Sequence, residues 1–129
     1  QDMKITGLAF VRIPVRDMRR ARAFYEDVLG LNVGEEMMHG QWIEYELGNN
    51  TLAIASVGHK WRSTDEGTAA ALEVDNFEEA IRRLIDRQVP FAIGPRETPC
   101  CRMVIIQDPD GNKIAVHKLK SPEEKQPCP

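Results

Sequence analysis

The side chains of this sequence that best suit acid–base chemistry are His117 and Glu44. An imidazole titrates close to neutral pH. A carboxylate that is enclosed beside a second one, such as Glu46, gains a raised pKa that suits a general base. Arg12 could stabilise negative charge that develops on a substrate. Each residue has a structural alternative: a hydrogen-bonded or solvated histidine, glutamates on the wet side of a half-exposed sheet, and an ion pair of Arg12 with Glu44 or Glu73.

The stretch of residues 106–117 places His117 on a strand. Two apolar segments flank the polar run 108–112, in which the proline fixes its own φ and the glycine can adopt a positive φ. This pattern predicts a strand, a tight turn and a second strand. Alternation along the second strand puts Ala115 and His117 on the same face.

The N-terminal half has the pattern of one βαβββ module. Alternation over residues 8–15 predicts a strand, and Asp17 can cap a helix whose apolar residues recur at helical spacing until Gly30. Turn residues separate three further strands, of which the last two should form an antiparallel hairpin. These strands cover residues 31–37, 41–47 and 51–57.

The C-terminal half repeats this plan. Aligning Ala69 with Phe10 keeps the strand, the helix cap and the helical stripe in register, as an internal duplication would. Asp75 or Asn76 would cap the second helix. The remaining strands are predicted at residues 89–93, 102–106 and 113–119. We therefore predict a single domain of the α+β class, made of two tandem βαβββ modules over about residues 5–57 and 68–119, with a linker at 58–67 and a disordered tail at 120–129.

Strand alternation divides the residues of the predicted sheets into two faces. One face is apolar and suits a core beneath the helices. The other, which we call the inner face, mixes small, aromatic and charged side chains, as small-molecule pockets do. The inner face comprises Phe10, Arg12, Trp42, Glu44, Glu46, Ala53, Ala55, Ala69, Ala71, Glu73, Ala115 and His117. We also assign Arg102 to this face, although its neighbours Cys101 and Met103 leave the phase of that strand open.

Composition excludes several classes of protein. The 129 residues are 42% hydrophobic and 29% charged, which suits one compact domain. A net charge of -3 gives no electrostatic basis for binding nucleic acid. No apolar run approaches the roughly 20 residues that span a bilayer, so no membrane partner is predicted. The three cysteines lack CxxC spacing, which argues against a disulfide scaffold and a zinc knuckle and favours a reducing, cytoplasmic location.

Two motifs carry a family resemblance: FYEDVLGL at residues 24–31 and DPDGN at residues 108–112. At these places in a duplicated βαβββ plan, they resemble the vicinal oxygen chelate superfamily, which includes glyoxalase I, extradiol dioxygenases, fosfomycin-modifying enzymes and bleomycin-binding proteins. The resemblance covers residues 5–119. It implies curved mixed sheets with helices on the outer face, and two modules that form a ligand-holding cup within one chain or across a dimer.

The resemblance also implies four metal-ligand positions, one on the first and one on the last strand of each module, typically His and Glu. Matching the motifs puts these positions at Phe10, Ala53, Ala69 and Ala115. None of these side chains offers the nitrogen or oxygen donor that a divalent metal needs. We therefore expect a metal-free cup and no cofactor.

The function expected is that of a metal-independent, glyoxalase/bleomycin-resistance-like protein that binds a small organic molecule in the cup between its modules. The alternatives are a lyase, isomerase or dioxygenase-like enzyme that uses His117 or Glu44 as acid–base catalyst, and a metal enzyme with relocated ligands drawn from Glu44, Glu46, His39 and His117. Relatives commonly form dimers, and the exposed sheet edges would permit a homodimer here. The expected ligand-binding residues are Phe10, Arg12, Trp42, Glu46, Ala53, Ala69, Glu73, Arg102 and Ala115.

Overall fold

The structure of the protein, a computed structural model, describes residues 8–56 and 69–124. The chain divides into two units, Gln1–Arg62 and Ser63–Pro129. The predicted linker at residues 58–67 lies outside the described residues. Within the part of the chain that is described, no helix is long and apolar enough to cross a membrane.

Within residues 8–56 and 69–124, each unit has four strands, and its main helix lies between the first and the second of them. The first unit consists of β1 (Val11–Pro14), α1 (Met18–Arg22), a π-helical segment (Ala23–Val28), β2 (Val33–Met37), a short 3₁₀ turn (Met38–Gly40), β3 (Trp42–Leu47) and β4 (Asn50–Ala55). The second unit consists of β5 (Ala70–Glu73), α2 (Phe77–Asp86), β6 (Phe91–Glu97), β7 (Cys101–Gln107) and β8 (Lys113–Leu119).

The two sheets have the same topology. The strand order is β1-β4-β3-β2 in the first unit and β5-β8-β7-β6 in the second. The first strand of each unit pairs in parallel with the last, and the remaining pairs are antiparallel. These mixed sheets confirm the predicted α+β fold in two βαβββ modules.

Side-chain caps start both helices at the predicted places. Asp17 Oδ1 accepts a hydrogen bond from the backbone N–H of Arg20 at 3.2 Å. Asn76 Oδ1 accepts one from the backbone N–H of Glu79 at 3.1 Å, so Asn76 rather than Asp75 is the second cap. The first helix becomes π-helical at Ala23 and is followed by Gly30 at φ +74.

One face of each sheet is buried beneath the helix of its own unit. α1 contacts β4 and α2 contacts β8. Because apolar side chains alternate along these strands, one face of each sheet can be removed from water while the other stays available. The buried residues of this face are Ile13, Ile43, Tyr45, Leu52 and Ile54 in the first unit, and Val104, Ile106, Ile114 and Val116 in the second.

The hairpin between β7 and β8 has the predicted tight turn. Asp108 Oδ1 accepts hydrogen bonds from the backbone N–H groups of Asp110 and Asn112 at 2.9 and 2.8 Å. Asn112 also donates its side-chain amide to Asp108 Oδ2 at 2.8 Å. Gly111 adopts φ +84, which favours glycine. This turn sets the register that carries Ala115 and His117.

Strand β6 differs from the prediction. It extends to Glu97 and passes through Pro95, whereas the sequence predicted that it ends at residue 93. Proline lacks the N–H that a central strand must donate, and β6 tolerates it because it is the edge strand of its sheet. The pairing with β7 shifts register between Ile93 and Arg96.

The adjacent cysteines have different states. Cys100 is disulfide-bonded, whereas Cys101 is free and buried, so the two are not joined to each other. The bond at Cys100 does not fit the reducing location that the cysteine count predicted, because disulfides persist mainly in oxidising compartments.

Candidate functional site

The inner face of the first unit carries an aromatic pair above a polar row. The rings of Phe10 and Trp42 meet edge to face, with centroids 5.5 Å apart and planes at 81°. Trp42 Nε1 donates a hydrogen bond to Glu44 Oε2 at 3.0 Å. Strand register places Glu44, Ala53 and Arg12 side by side across three strands. Phe10 is 43% exposed, so the pair presents apolar surface next to charged groups.

The two inner-face alanines of β4 are not accessible to a ligand. Ala53 and Ala55 are fully buried, although both lie opposite the helix-facing side chains of their strand. Arg12, which is half-buried, follows in register with Ala53, and burial lowers the pKa of its guanidinium. Arginine nevertheless stays charged at neutral pH. In the first unit, the guanidinium of Arg12 therefore lies on one side of Ala53 and the carboxylate of Glu44 on the other.

Glu46 lies at the more exposed end of the same face. Its carboxylate accepts a hydrogen bond from Thr51 Oγ1 at 3.4 Å. The side chain lies over Gly34, where an added Cβ would come within 2.5 Å of Glu46 Cγ. Glu46 thus packs on the bare backbone of the neighbouring strand β2.

The inner face of the second unit contains a histidine–carboxylate pair. Glu73 and His117 are neighbours in the parallel pairing of β5 and β8, and His117 Nδ1 lies 2.5 Å from Glu73 Oε1. Glu73 Oε2 also accepts the backbone N–H of Leu119 at 2.8 Å. Partial burial alone would raise the pKa of Glu73, but the hydrogen bonds from Leu119 and His117 outweigh it and hold the pKa below its usual value. The pair leaves the other ring nitrogen of His117 to interact with a ligand.

Sequence reasoning missed the pairing of Glu73 with His117 and considered Arg12 as the partner of Glu73 instead. Both members of the pair were assigned to the inner face. The missing information was the register of β5 against β8, which places the two residues directly side by side.

The positions that match the family's metal ligands carry no donor atoms. Ala53 and Ala115 are buried, Ala69 is exposed just before β5, and Phe10 packs on Trp42. The proposed relocated ligands do not supply a substitute: within residues 8–56 and 69–124, no group of three or more His, Cys, Asp or Glu side chains could hold a metal ion. The residues described here do not fit the metal site that the resemblance implies.

Arg102 lies on the opposite face from the one predicted. It pairs in register with Lys118, whereas Met103 pairs with His117. Residues directly opposite in an antiparallel pair share a face, so Arg102 belongs to the helix-facing side. There its guanidinium binds Glu124 at 3.0 Å, in a turn at the start of the predicted tail. The assignment of Arg102 to the inner face was therefore wrong.

Comparison with known proteins defines the class of the chain. A family model of the Glyoxalase/Bleomycin resistance protein/Dioxygenase superfamily matches residues 7–116. The match takes in residues of both units and includes the motifs around Gly30 and Gly111. The chain belongs to this superfamily.

The relatives within the superfamily differ in activity. Metallothiol transferase FosB of Staphylococcus epidermidis is 25% identical over 130 residues, covering 89% of this chain and 83% of that protein. Lactoylglutathione lyase of Salmonella typhimurium is 29% identical over 126 residues, covering 88% and 93%. A solved structure, TnmS3, is an antibiotic binding protein from Streptomyces sp. CB03234; it has a TM-score of 0.76 at 25% identity and covers 92% of this chain and 100% of that one. Membership alone does not choose between catalysis and binding.

Proposed function

We propose that this protein binds a small organic molecule on its inner face without a metal ion. The observation that carries the proposal is the identity of the four matched positions, because Phe10, Ala53, Ala69 and Ala115 offer a metal no donor. Divalent metals in proteins are held by imidazole, thiolate or oxygen ligands. Recognition must then come from the protein's own apolar and charged groups.

The aromatic pair and its polar neighbours indicate the chemistry of the ligand. Phe10 and Trp42 offer ring surface that suits an apolar, ring-bearing body. Arg12 and Glu44 flank Ala53 and can orient polar substituents of the ligand. The likeness to TnmS3, which is an antibiotic binding protein, supports antibiotics as candidate ligands.

Tryptophan fluorescence tests the proposal. In a Trp61→Phe background, Trp42 is the only tryptophan of the chain, and a panel of aromatic antibiotics is titrated against it. We expect saturable quenching by at least one compound, and recovery of that compound unchanged. Phe10→Ala should weaken binding about 10-fold, since it removes one face of the aromatic wall. Arg19→Ala, an exposed change on α1, is the control. Equal affinity of the Phe10→Ala and Arg19→Ala variants would refute the site.

A second candidate function rests on the pair of His117 and Glu73. A carboxylate that binds one ring nitrogen of a histidine fixes its orientation and leaves the other nitrogen to move a proton. The reaction would be a proton-transfer lyase or isomerase step in which His117 moves the proton. Products formed from a bound compound, and lost in His117→Ala, would favour this function over binding alone. Full turnover by His117→Ala would exclude it.

We also propose that two copies of the chain associate and act in the cytoplasm. All residues of the edge strand β2 are exposed, and its Val33 and Met37 offer apolar side chains there. Unpaired strand edges favour association with another strand. The cytoplasmic location is tested against the disulfide at Cys100, by counting free thiols in protein that is denatured directly from cells. If the cell keeps that bond reduced, all three cysteines of the sequence react. Fewer reactive thiols would contradict that location.

A further inference from the structure

A cavity of about 500 Å³ lies within the second unit, on the helix-facing side. The first half of α2 forms one wall, and the ends of β6 and β7 form the other. Its volume falls within the range of roughly 300–1,000 Å³ that is typical of ligand sites. Because Arg102 on the helix-facing side is part of its lining, this cavity is separate from the inner-face residues Ala115 and His117.

The lining of this cavity combines apolar surface with cations. Phe77, Ile81 and Pro95 supply the apolar part, and Arg82 and Arg96 supply two guanidinium groups. A planar guanidinium donates two parallel hydrogen bonds to a carboxylate or phosphate and is weakly hydrated, which suits it to bind organic anions.

The other charges around the cavity are largely neutralised. Glu97 binds Lys120 Nζ at 2.5 Å, and Arg102 binds Glu124 at 3.0 Å. Neither Arg82 nor Arg96 has an acidic partner within 4.0 Å among residues 8–56 and 69–124, a range that includes the whole lining. Glu78 is the remaining acid of the lining, one helical turn before Arg82.

We propose that this cavity is a second binding site, specific for a small organic anion with an apolar ring. The ring lies against Phe77, Ile81 and Pro95, and the anionic group pairs with Arg82 and Arg96. A carboxylate and a phosphate monoester share this chemistry, so both are ligand candidates. Glu78 opposes the anion and limits its affinity.

The probe for the test is anilinonaphthalene sulfonate, a fluorescent ring-bearing anion, compared with uncharged phenylnaphthylamine. The full chain is titrated with each, and backbone amide shifts map the bound dye. We expect the anion to bind more tightly than the uncharged ring and to shift the amides of Phe77–Arg82 and of Arg96 and Glu97. Naphthoate or naphthyl phosphate should displace it, and the tighter of the two identifies the anionic group.

Two double variants that each remove two positive charges distinguish binding at this site from general attraction of the anion to a cationic surface. Arg82→Gln/Arg96→Gln should weaken the dye about 10-fold. Arg19→Gln/Arg87→Gln removes the same charge from exposed positions outside the cavity lining and should leave affinity within about 2-fold. Glu78→Gln should strengthen binding, because it removes the opposing carboxylate.

Three results would overturn the site: equal weakening by both double variants, amide shifts confined to residues around Phe10 and Trp42, or displacement by neither naphthoate nor naphthyl phosphate. None of them counts against ligand binding at the inner face, which Phe10→Ala tests separately. Circular dichroism of each variant confirms that it is folded before its affinity is compared.

Discussion

Glu26 shows how single side chains connect the motif at residues 24–31 to the sheet. Its carboxylate accepts hydrogen bonds from Arg22 Nε at 2.6 Å and from the hydroxyl of the fully buried Tyr45 at 2.9 Å. The ring of Tyr45 stacks on that of Tyr25 at 6.1 Å. One acidic residue of the family motif therefore joins the helical segment to strand β3, a structural role on the side of the sheet opposite the inner face.

Stability should depend on pH through Glu26. Burial alone would raise its pKa, but the hydrogen bonds from Arg22 and Tyr45 lower it overall. The carboxylate thus stabilises the fold above the unfolded-state pKa of about 4.3, and this stabilisation is lost as pH falls through the lower, folded-state pKa. Glu26→Gln should cost about 1–2 kcal/mol near pH 7, and the difference from wild type should shrink at about pH 3, as measured by urea unfolding.

Glu36→Gln is the matched control for that experiment. Its carboxylate lies 3.6 Å from Arg22 Nη1 and is half exposed, so its removal should cost about 0.5 kcal/mol or less. A pH-independent difference between wild type and Glu26→Gln would contradict the role assigned to Glu26.

At the scale of elements, the two helices depend on short polar caps. The Asn76 amide satisfies one free N–H at the start of α2. Asn76→Ala should destabilise the protein by about 1 kcal/mol, and Asn76→Gly by only a few tenths, because glycine leaves that N–H accessible to water. Thermal unfolding of the two variants measures this. Equal losses of stability in the two variants would mean that the hydrogen bond of the Asn76 side chain does not account for the stabilising effect of the cap.

Most of the fold could be predicted from the alternation of apolar and polar side chains along the strands. This alternation is visible in the sequence because one face of each sheet is apolar. Strand β8 was predicted with its observed ends, 113–119. The phase of β7 was not predictable, since Cys101 and Met103 are as apolar as Val104, and Arg102 was assigned to the wrong face. The pairing of Glu73 with His117 depends on register between strands distant in sequence, which local pattern does not contain.

At the scale of the whole molecule, the exposed edge strands predict self-association. Sedimentation equilibrium should give twice the chain mass of 14.6 kDa at micromolar concentration. Val33→Lys should shift the distribution towards monomer, since charged side chains on an edge strand oppose pairing. Glu35→Lys, on the same exposed strand but without loss of an apolar contact, is the control. A monomer at every concentration would contradict the proposal.

The central claim is that ligand binding needs no metal ion. The most direct measurement is calorimetric titration of one bound aromatic compound into chelator-treated protein, repeated after adding Mn²⁺, Ni²⁺ or Zn²⁺. We predict one saturable isotherm with the same affinity in every case, because Phe10, Ala53, Ala69 and Ala115 cannot hold the ion. Binding or product formation that appears only after a metal is added would contradict the account.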